Sequence, residues 1–197
     1  MELTAETFFK NFCESMQEIG LGDYKSSTKL TKKLMADKDT GVISKILKKN
    51  GLEISKEYFR IDVSGWVNRW AEIDEQAKAL DLKSHLWDLK VAVEHENDKK
   101  DWLDEVVKLA HIRCPLKIVI GYNACDRRNE TDGAGNDMEK LRFCAEVLQK
   151  TRAFDQNGTE TYLIILGNAK GKEQSSYDTF DYRGYVFDVS TKQFRQI

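Results

Sequence analysis

Two short, almost wholly apolar segments constrain the fold of this chain more than any other feature. They are LKIVIGY at residues 116–122 and YLIIL at residues 162–166, and both are typical of strands buried on both faces. Such strands need helices above and below their sheet. A helical pattern at 98–113 precedes the first segment, and another at 138–153 separates the two. The chain is therefore expected to be an α/β protein with a mixed central β-sheet flanked by helices.

The whole chain, residues 1–197, is expected to form a single domain. It is 41% hydrophobic and 32% charged, as in an ordinary globular protein. Apolar residues at helical spacing occur in 4–19 and 28–50, and strand patterns follow. We therefore expect a helical N-terminal region, residues 1–54, and an α/β core, residues 55–197.

Charge is distributed unevenly along the chain. The net charge of -2 argues against a protein that coats DNA, because phosphate neutralisation requires clustered Lys and Arg. Residues 25–60 nevertheless contain ten basic and four acidic residues, a local excess of six. This basic segment is either a solvated helical face or a surface that faces nucleic acid.

Membrane and disulfide signals are missing from the sequence. No apolar run approaches the ~20 residues that span a bilayer, and MELTAETFFKNFCESM is acidic and amphipathic, unlike a secretory signal. We expect a cytoplasmic protein with no membrane segment. The cysteines have neither CxxC nor zinc-site spacing, and we expect free thiols at all four, Cys13, Cys114, Cys125 and Cys144.

Acidic residues lie within two of the predicted strands. Asp62 is in YFRIDV, predicted as a strand over 58–63, and Glu94 and Glu96 share one face of LKVAVEHE, predicted over 89–96. A buried carboxylate without a partner is costly. Carboxylate oxygens suit Mg²⁺ or Mn²⁺, so a metal held by acids of two neighbouring strands is the simplest compensation. The alternative is an edge strand whose acids face solvent.

This succession resembles the PD-(D/E)XK nuclease superfamily, in which an acid on one strand precedes an acid-x-lysine motif on the next, a helix and a buried strand. The first acid would be Asp62 in RIDVSGW and the second Glu94 in VAVEHEN. Glu96 stands where the superfamily usually has lysine, and Ile61 stands where its motif has proline. The resemblance covers residues 55–125 and implies a restriction-endonuclease-like core.

The resemblance also implies a mechanism for cutting DNA or RNA. Asp62, Glu94 and the backbone carbonyl of His95 would hold Mg²⁺ or Mn²⁺. The metal would polarise the scissile phosphate and lower the pKa of a bound water. Glu96 would bind or orient that water. The His95 ring itself is expected to be an ordinary core histidine.

Lys108, on the helix that follows, is a candidate to replace the missing motif lysine. Glu105 lies one turn before it and could orient Lys108 or a metal-bound water. The alternative is an ordinary surface ion pair at i,i+3 spacing.

Three functional hypotheses remain open from the sequence. The first is a metal-dependent nuclease-like enzyme that cuts DNA or RNA, with DNA favoured over RNA as substrate. Its basic N-terminal region would help to hold the substrate, and a homodimer would fit such an enzyme. The second is a non-catalytic protein- or nucleic-acid-binding module on a degenerate nuclease fold, which the acidic net charge and the absent motif lysine favour. The third is an unrelated α/β hydrolase or binding domain in which the acidic residues of the strands are simply exposed to solvent.

Overall fold

The protein is described by a computed structural model, which covers residues 3–18, 31, 34–35, 39–98, 100–123, 132–155, 157–168 and 182–197. The helices are α1 (Ala5–Gln17), α2 (Val42–Lys49), α3 (Asp74–Ala79), α4 (Trp102–Ala110) and α5 (Asp132–Lys150), with a 3-10 turn at Trp70–Glu72. The strands are β1 (Glu53–Tyr58), β2 (Ile61–Asn68), β3 (Trp87–His95), β4 (Leu116–Asn123), β5 (Thr161–Asn168), β6 (Tyr182–Asp188) and β7 (Gln193–Gln196).

The seven strands form one mixed sheet in which the spatial order equals the sequence order. Strands β1, β2 and β3 are an antiparallel meander, β3, β4 and β5 run parallel, and β5, β6 and β7 are antiparallel again. Parallel neighbours need a crossover connection. Helix α4 lies between β3 and β4 in the chain, and α5 lies between β4 and β5. The predicted α/β fold with a mixed sheet is confirmed.

Helices cover both faces of the sheet, as the two apolar strands require. On one face, buried residues of α1 and α2 pack against the sheet, among them Phe8, Phe12 and Ile43. On the other, α4 and α5 contribute buried residues such as Val106 and Leu148. Every residue of β4 is buried. Strand β4, at the centre of the sheet, is thus inaccessible to solvent.

The described part of the N-terminal region contains the two helices α1 and α2. Thr4 caps α1 by accepting a hydrogen bond from the Thr7 amide at 3.2 Å. The helical pattern predicted over 28–50 is confirmed at α2. Much of the basic segment, including Lys25, Lys29, Lys32, Lys33 and Lys38, lies outside the described residues.

The strand predicted over residues 58–63 is wrong, because a hairpin turn interrupts it. Tyr58 pairs with Ile61, which leaves Phe59 and Arg60 as a two-residue loop. Both have positive φ, 53° and 59°, as a type I′ turn requires. Asp62 is therefore the second residue of β2. The strand continues to Asn68.

No helix within the described ranges combines the length and the apolar character needed to cross a membrane. Cys13, Cys114 and Cys144 are free thiols, as expected. Cys125 lies outside the described residues.

Candidate functional site

The pairing of β2 with β3 brings the first two predicted site residues together. Val63 lies opposite Val93, so Asp62 and Glu94 are neighbours at the next position of the ladder. Asp62 Oδ2 accepts a hydrogen bond of 2.9 Å from the backbone N–H of His95. Glu94 is only 1% exposed. The alternative of a solvent-facing acid is therefore wrong for Glu94, and β2 and β3 are interior strands of the sheet.

Helix α4 places a lysine directly against these acids. Lys108 Nζ lies 2.8 Å from Glu94 Oε1 and also forms an ion pair with Glu105. It donates a further hydrogen bond of 3.2 Å to the carbonyl oxygen of Arg60, in the hairpin turn. The predicted Glu105–Lys108 pair is thus present. It is more than a surface pair, because the same ammonium contacts a buried carboxylate.

Burial dominates the electrostatics of the two strand acids. It raises the pKa of Glu94 to about 8, although the nearby Lys108 ammonium acts in the opposite direction. Burial likewise raises the pKa of Asp62, and the hydrogen bond from His95 opposes this in part. Burial lowers the pKa of Lys108, but its contacts with Glu105 and Glu94 outweigh that effect, so its pKa is raised.

The site consequently contains more acid than base. Asp62, Glu94 and Glu105 can supply three negative charges, and Lys108 supplies one positive charge. If all four groups are ionised, the cluster has a formal charge of -2. Such an excess of buried carboxylate oxygen favours the binding of a cation.

Glu96 forms its hydrogen bonds with residues outside this cluster. It is the first residue after β3, and its backbone N–H donates to the carbonyl of Ile120 at 2.9 Å. Its carboxylate accepts a hydrogen bond of 2.7 Å from the amide of Asp98. The prediction that Glu96 belongs to the same strand is wrong by one residue. Its proposed role with a water molecule stays a prediction.

The His95 ring points to the opposite face of the sheet from Glu94 and is 8% exposed. Its Nε2 lies 3.0 Å from the hydroxyl of Tyr122, which lies 3.3 Å from that of Tyr182. Burial lowers the pKa of His95 to about 4. The ring is therefore a neutral core group, as expected, and it anchors the strand segment that carries Glu94.

Within the described residues, no group of three or more His, Cys, Asp and Glu side chains is arranged to hold a metal ion. The donors that could contribute to one are the carboxylates of Asp62 and Glu94, with Glu105 next to them and the backbone carbonyl of His95. These are hard oxygen donors that suit Mg²⁺ or Mn²⁺. The Lys108 ammonium contacts two of these carboxylates.

A second buried polar cluster lies beyond the end of β4 and was missed by sequence reasoning. Asp137 on α5 is fully buried, accepts a hydrogen bond of 2.9 Å from Tyr185 and lies 3.0 Å from Arg183 Nε. Asn123 donates to the same carboxylate at 2.5 Å. These contacts join α5 to β4 and β6.

Comparison of the chain with protein-family models, with curated proteins and with solved structures found no significant match.

Proposed function

We propose that the protein is a metal-dependent phosphodiesterase of the PD-(D/E)XK type that hydrolyses DNA or RNA. The observation that carries this proposal is the buried Glu94 carboxylate, which lies beside Asp62 just beyond the paired residues Val63 and Val93 of two interior strands. A charged group in such a position destabilises the fold unless it is compensated. Binding of a metal ion by Glu94 accounts for a carboxylate at this buried position.

The order of the elements supports the same proposal. The resemblance rests on an acid-bearing strand, a second acid-bearing strand, a helix and a buried strand in that order. The described chain has β2 with Asp62, β3 with Glu94, α4 and then β4. The helix also brings Lys108 to Glu94, so that an ammonium group contacts the second acid. This arrangement is consistent with a restriction-endonuclease-like core.

In the proposed reaction, Asp62, Glu94 and the His95 carbonyl hold the divalent metal. When bound, the metal supplies Lewis-acid activation of the phosphate and of the attacking water. Lys108 is suited to stabilise negative charge on the phosphate, because it is the positive group nearest to the acids and is itself one third exposed. Glu105 holds the Lys108 ammonium in position, and Glu96 is left to accept a proton from the water.

Cleavage assays with matched variants test this proposal. Wild-type protein should nick plasmid DNA or a single-stranded oligonucleotide with Mg²⁺ or Mn²⁺, and Glu94→Gln should reduce the rate at least about 100-fold, the effect typical of losing a group that acts in the chemical step. Glu146→Gln, an exposed carboxylate on α5, is the control and should cleave normally. Absence of metal-dependent cleavage in freshly purified wild-type protein would refute the enzymatic proposal.

A non-catalytic nucleic-acid- or protein-binding module is the second candidate. It is favoured by the Lys108 ammonium, which already pairs with Glu94 and Glu105 as a metal would, and by the engagement of Glu96 in a local turn. Under this candidate the lysine replaces the metal permanently. Titration calorimetry then shows no Mg²⁺ or Mn²⁺ binding that depends on Glu94.

A further inference from the structure

The meander of β1, β2 and β3 carries an open cavity with aromatic walls. Residues at alternate positions of β2 lie on one face of the sheet, so Trp66 projects from the same face as Asp62. The cavity has a volume of about 230 Å³. Its lining consists of Ser55, Tyr58, Trp66, Trp70, His85 and Trp87.

The rings around this cavity, which we call the aromatic pocket, meet at different angles. The Trp66 ring lies 6.2 Å from that of Trp70, tilted by 32°, and 6.0 Å from that of Trp87, tilted by 62°. His85 stands nearly perpendicular to Trp70 at 5.7 Å, and Tyr58 lies 5.5 Å from Trp87. The rings therefore line the cavity at mixed angles and do not form one stack.

Two of these walls remain accessible to solvent. Tyr58 is 42% exposed and Trp70 is 37% exposed. A cluster that served only the core would bury such large apolar rings, whereas here they surround an opening. Three of the four tryptophans of the chain line this one cavity. This concentration indicates a surface for recognising a ligand.

The lining identifies the class of ligand. It contains no Asp, Glu, Lys or Arg, and its polar groups are uncharged hydroxyl and indole N–H groups and the imidazole of His85. The Ser55 hydroxyl accepts a hydrogen bond from Trp66 Nε1 at 3.1 Å. The cavity is smaller than the roughly 300–1,000 Å³ of pockets for drug-sized ligands. It fits one planar ring system. A quaternary ammonium also suits aromatic walls, but the absence of a carboxylate from the lining favours a neutral ring.

The pocket lies on the same strand and the same sheet face as the candidate active site. Trp66 follows Asp62 by four residues on β2, a distance of about 13 Å at the ordinary rise of a strand. A nucleic-acid strand with a phosphate beside Asp62 and Glu94 would therefore bring a base a few nucleotides away to the aromatic walls. Stacking on aromatic side chains is the usual way in which proteins hold unpaired bases.

We propose that the aromatic pocket binds an unpaired nucleobase of the substrate strand. This inference rests on the proposed phosphodiesterase function and specifies its substrate as single-stranded, or locally unpaired, nucleic acid. The pocket holds the base by stacking, which tolerates any sequence because every base has a π-face. The protein is accordingly expected to prefer single strands, flaps or frayed ends over an intact duplex.

Binding of a fluorescent single-stranded 12-mer in EDTA, where no cleavage can occur, tests the proposal. Trp70→Ala should weaken binding roughly 5- to 150-fold, the range for losing one stacked base, and Trp70→Phe should restore most of it. Phe143→Ala is the matched control, because Phe143 is an exposed aromatic residue, at 58%, on α5 and away from the pocket. A 12-mer with abasic positions throughout should bind the wild-type protein as weakly as the normal 12-mer binds Trp70→Ala.

The results distinguish failure of this inference from failure of the proposed function. The base pocket would be overturned if the wild-type protein and Trp70→Ala bound the strand equally well, or if normal and abasic strands bound with equal affinity. It would also be overturned if neither strand bound, or if choline competed for the pocket and nucleosides did not. If cleavage still depends on Glu94 in any of those cases, the phosphodiesterase proposal stands alone. Stacking without metal-dependent cleavage would retain the pocket and leave the protein as a binding module.

Discussion

Replacing Glu94 with glutamine should make the protein more stable, by an amount that grows with pH. Glutamine reproduces the shape of the protonated carboxyl but cannot ionise. The folded-state pKa of Glu94 is raised to about 8 from the ordinary 4.5. At a pH between these two pKa values, the unfolded chain releases the Glu94 proton while the folded protein retains it. Folding stability of the wild-type protein is therefore lost as the pH rises through this window, and the variant avoids that loss.

The size of the effect follows from the two pKa values. One pKa unit corresponds to about 1.4 kcal/mol, and the gain flattens near pH 8 as the folded protein also begins to ionise. The free energy of unfolding of Glu94→Gln, minus that of the wild type, should thus increase by about 2 kcal/mol between pH 6 and pH 8. Titrating groups that do not interact with Glu94, including His95, are common to both proteins and cancel in this difference.

Urea unfolding at pH 6, 7 and 8 in EDTA measures this difference directly. Glu146→Gln, which removes an exposed carboxylate, should keep the pH dependence of the wild type. If the unfolding free energies of Glu94→Gln and the wild type differ by the same amount at all three pH values, Glu94 is not a buried acid with a raised pKa, and the electrostatic argument for the site fails.

Three further predictions concern the surroundings of the site. A Cβ at Gly121 would lie 2.8 Å from Trp102 Cβ, so Gly121→Ala should push α4 away from β4 and cost about 1–3 kcal/mol in urea unfolding; unchanged stability would contradict this packing. His95 has a pKa lowered to about 4 from 6.5, so the unfolded chain takes up a proton first as the pH falls and stability is lost from pH 6.5 downward; His95→Gln should unfold at lower pH than the wild type in an acid titration, and an identical midpoint would contradict the account. Lys108→Met removes the ammonium beside Glu94, so Mn²⁺ should bind more tightly in calorimetry while cleavage slows; weaker Mn²⁺ binding would show that the lysine supports the metal rather than competing with it.

The buried strands were the part of the fold that the sequence predicted best. LKIVIGY and YLIIL became β4 and β5 within one or two residues, because a strand covered on both faces cannot contain many polar groups. These elements are determined by local composition, which a single sequence contains.

The hairpin between β1 and β2 could not be predicted for an equally physical reason. Turns with positive φ are normally recognised by Gly, Asn or Asp. Here Phe59 and Arg60 occupy those positions, so the pattern read as an uninterrupted strand. Cross-strand packing stabilises a backbone conformation that these residues do not favour on their own.

The candidate site was predicted in part. Helical spacing placed Lys108 one turn after Glu105, and the structure adds the contact of that lysine with Glu94. The cluster around Asp137 had no local signal, since its partners Arg183 and Tyr185 come from a strand about 50 residues further along the chain. The aromatic pocket was missed for the same reason, because the hairpin that brings Tyr58 toward Trp66 was not recognised.

A crystal soaked in Mn²⁺ at pH 8 or above, where Glu94 is at least half ionised, tests the central claim most directly. The account predicts one anomalous-difference peak at coordination distance from the carboxylates of Asp62 and Glu94, with the Lys108 ammonium displaced from Glu94. A map in which no manganese lies at these two residues, with Lys108 still paired to Glu94, would contradict the proposed metal-dependent chemistry.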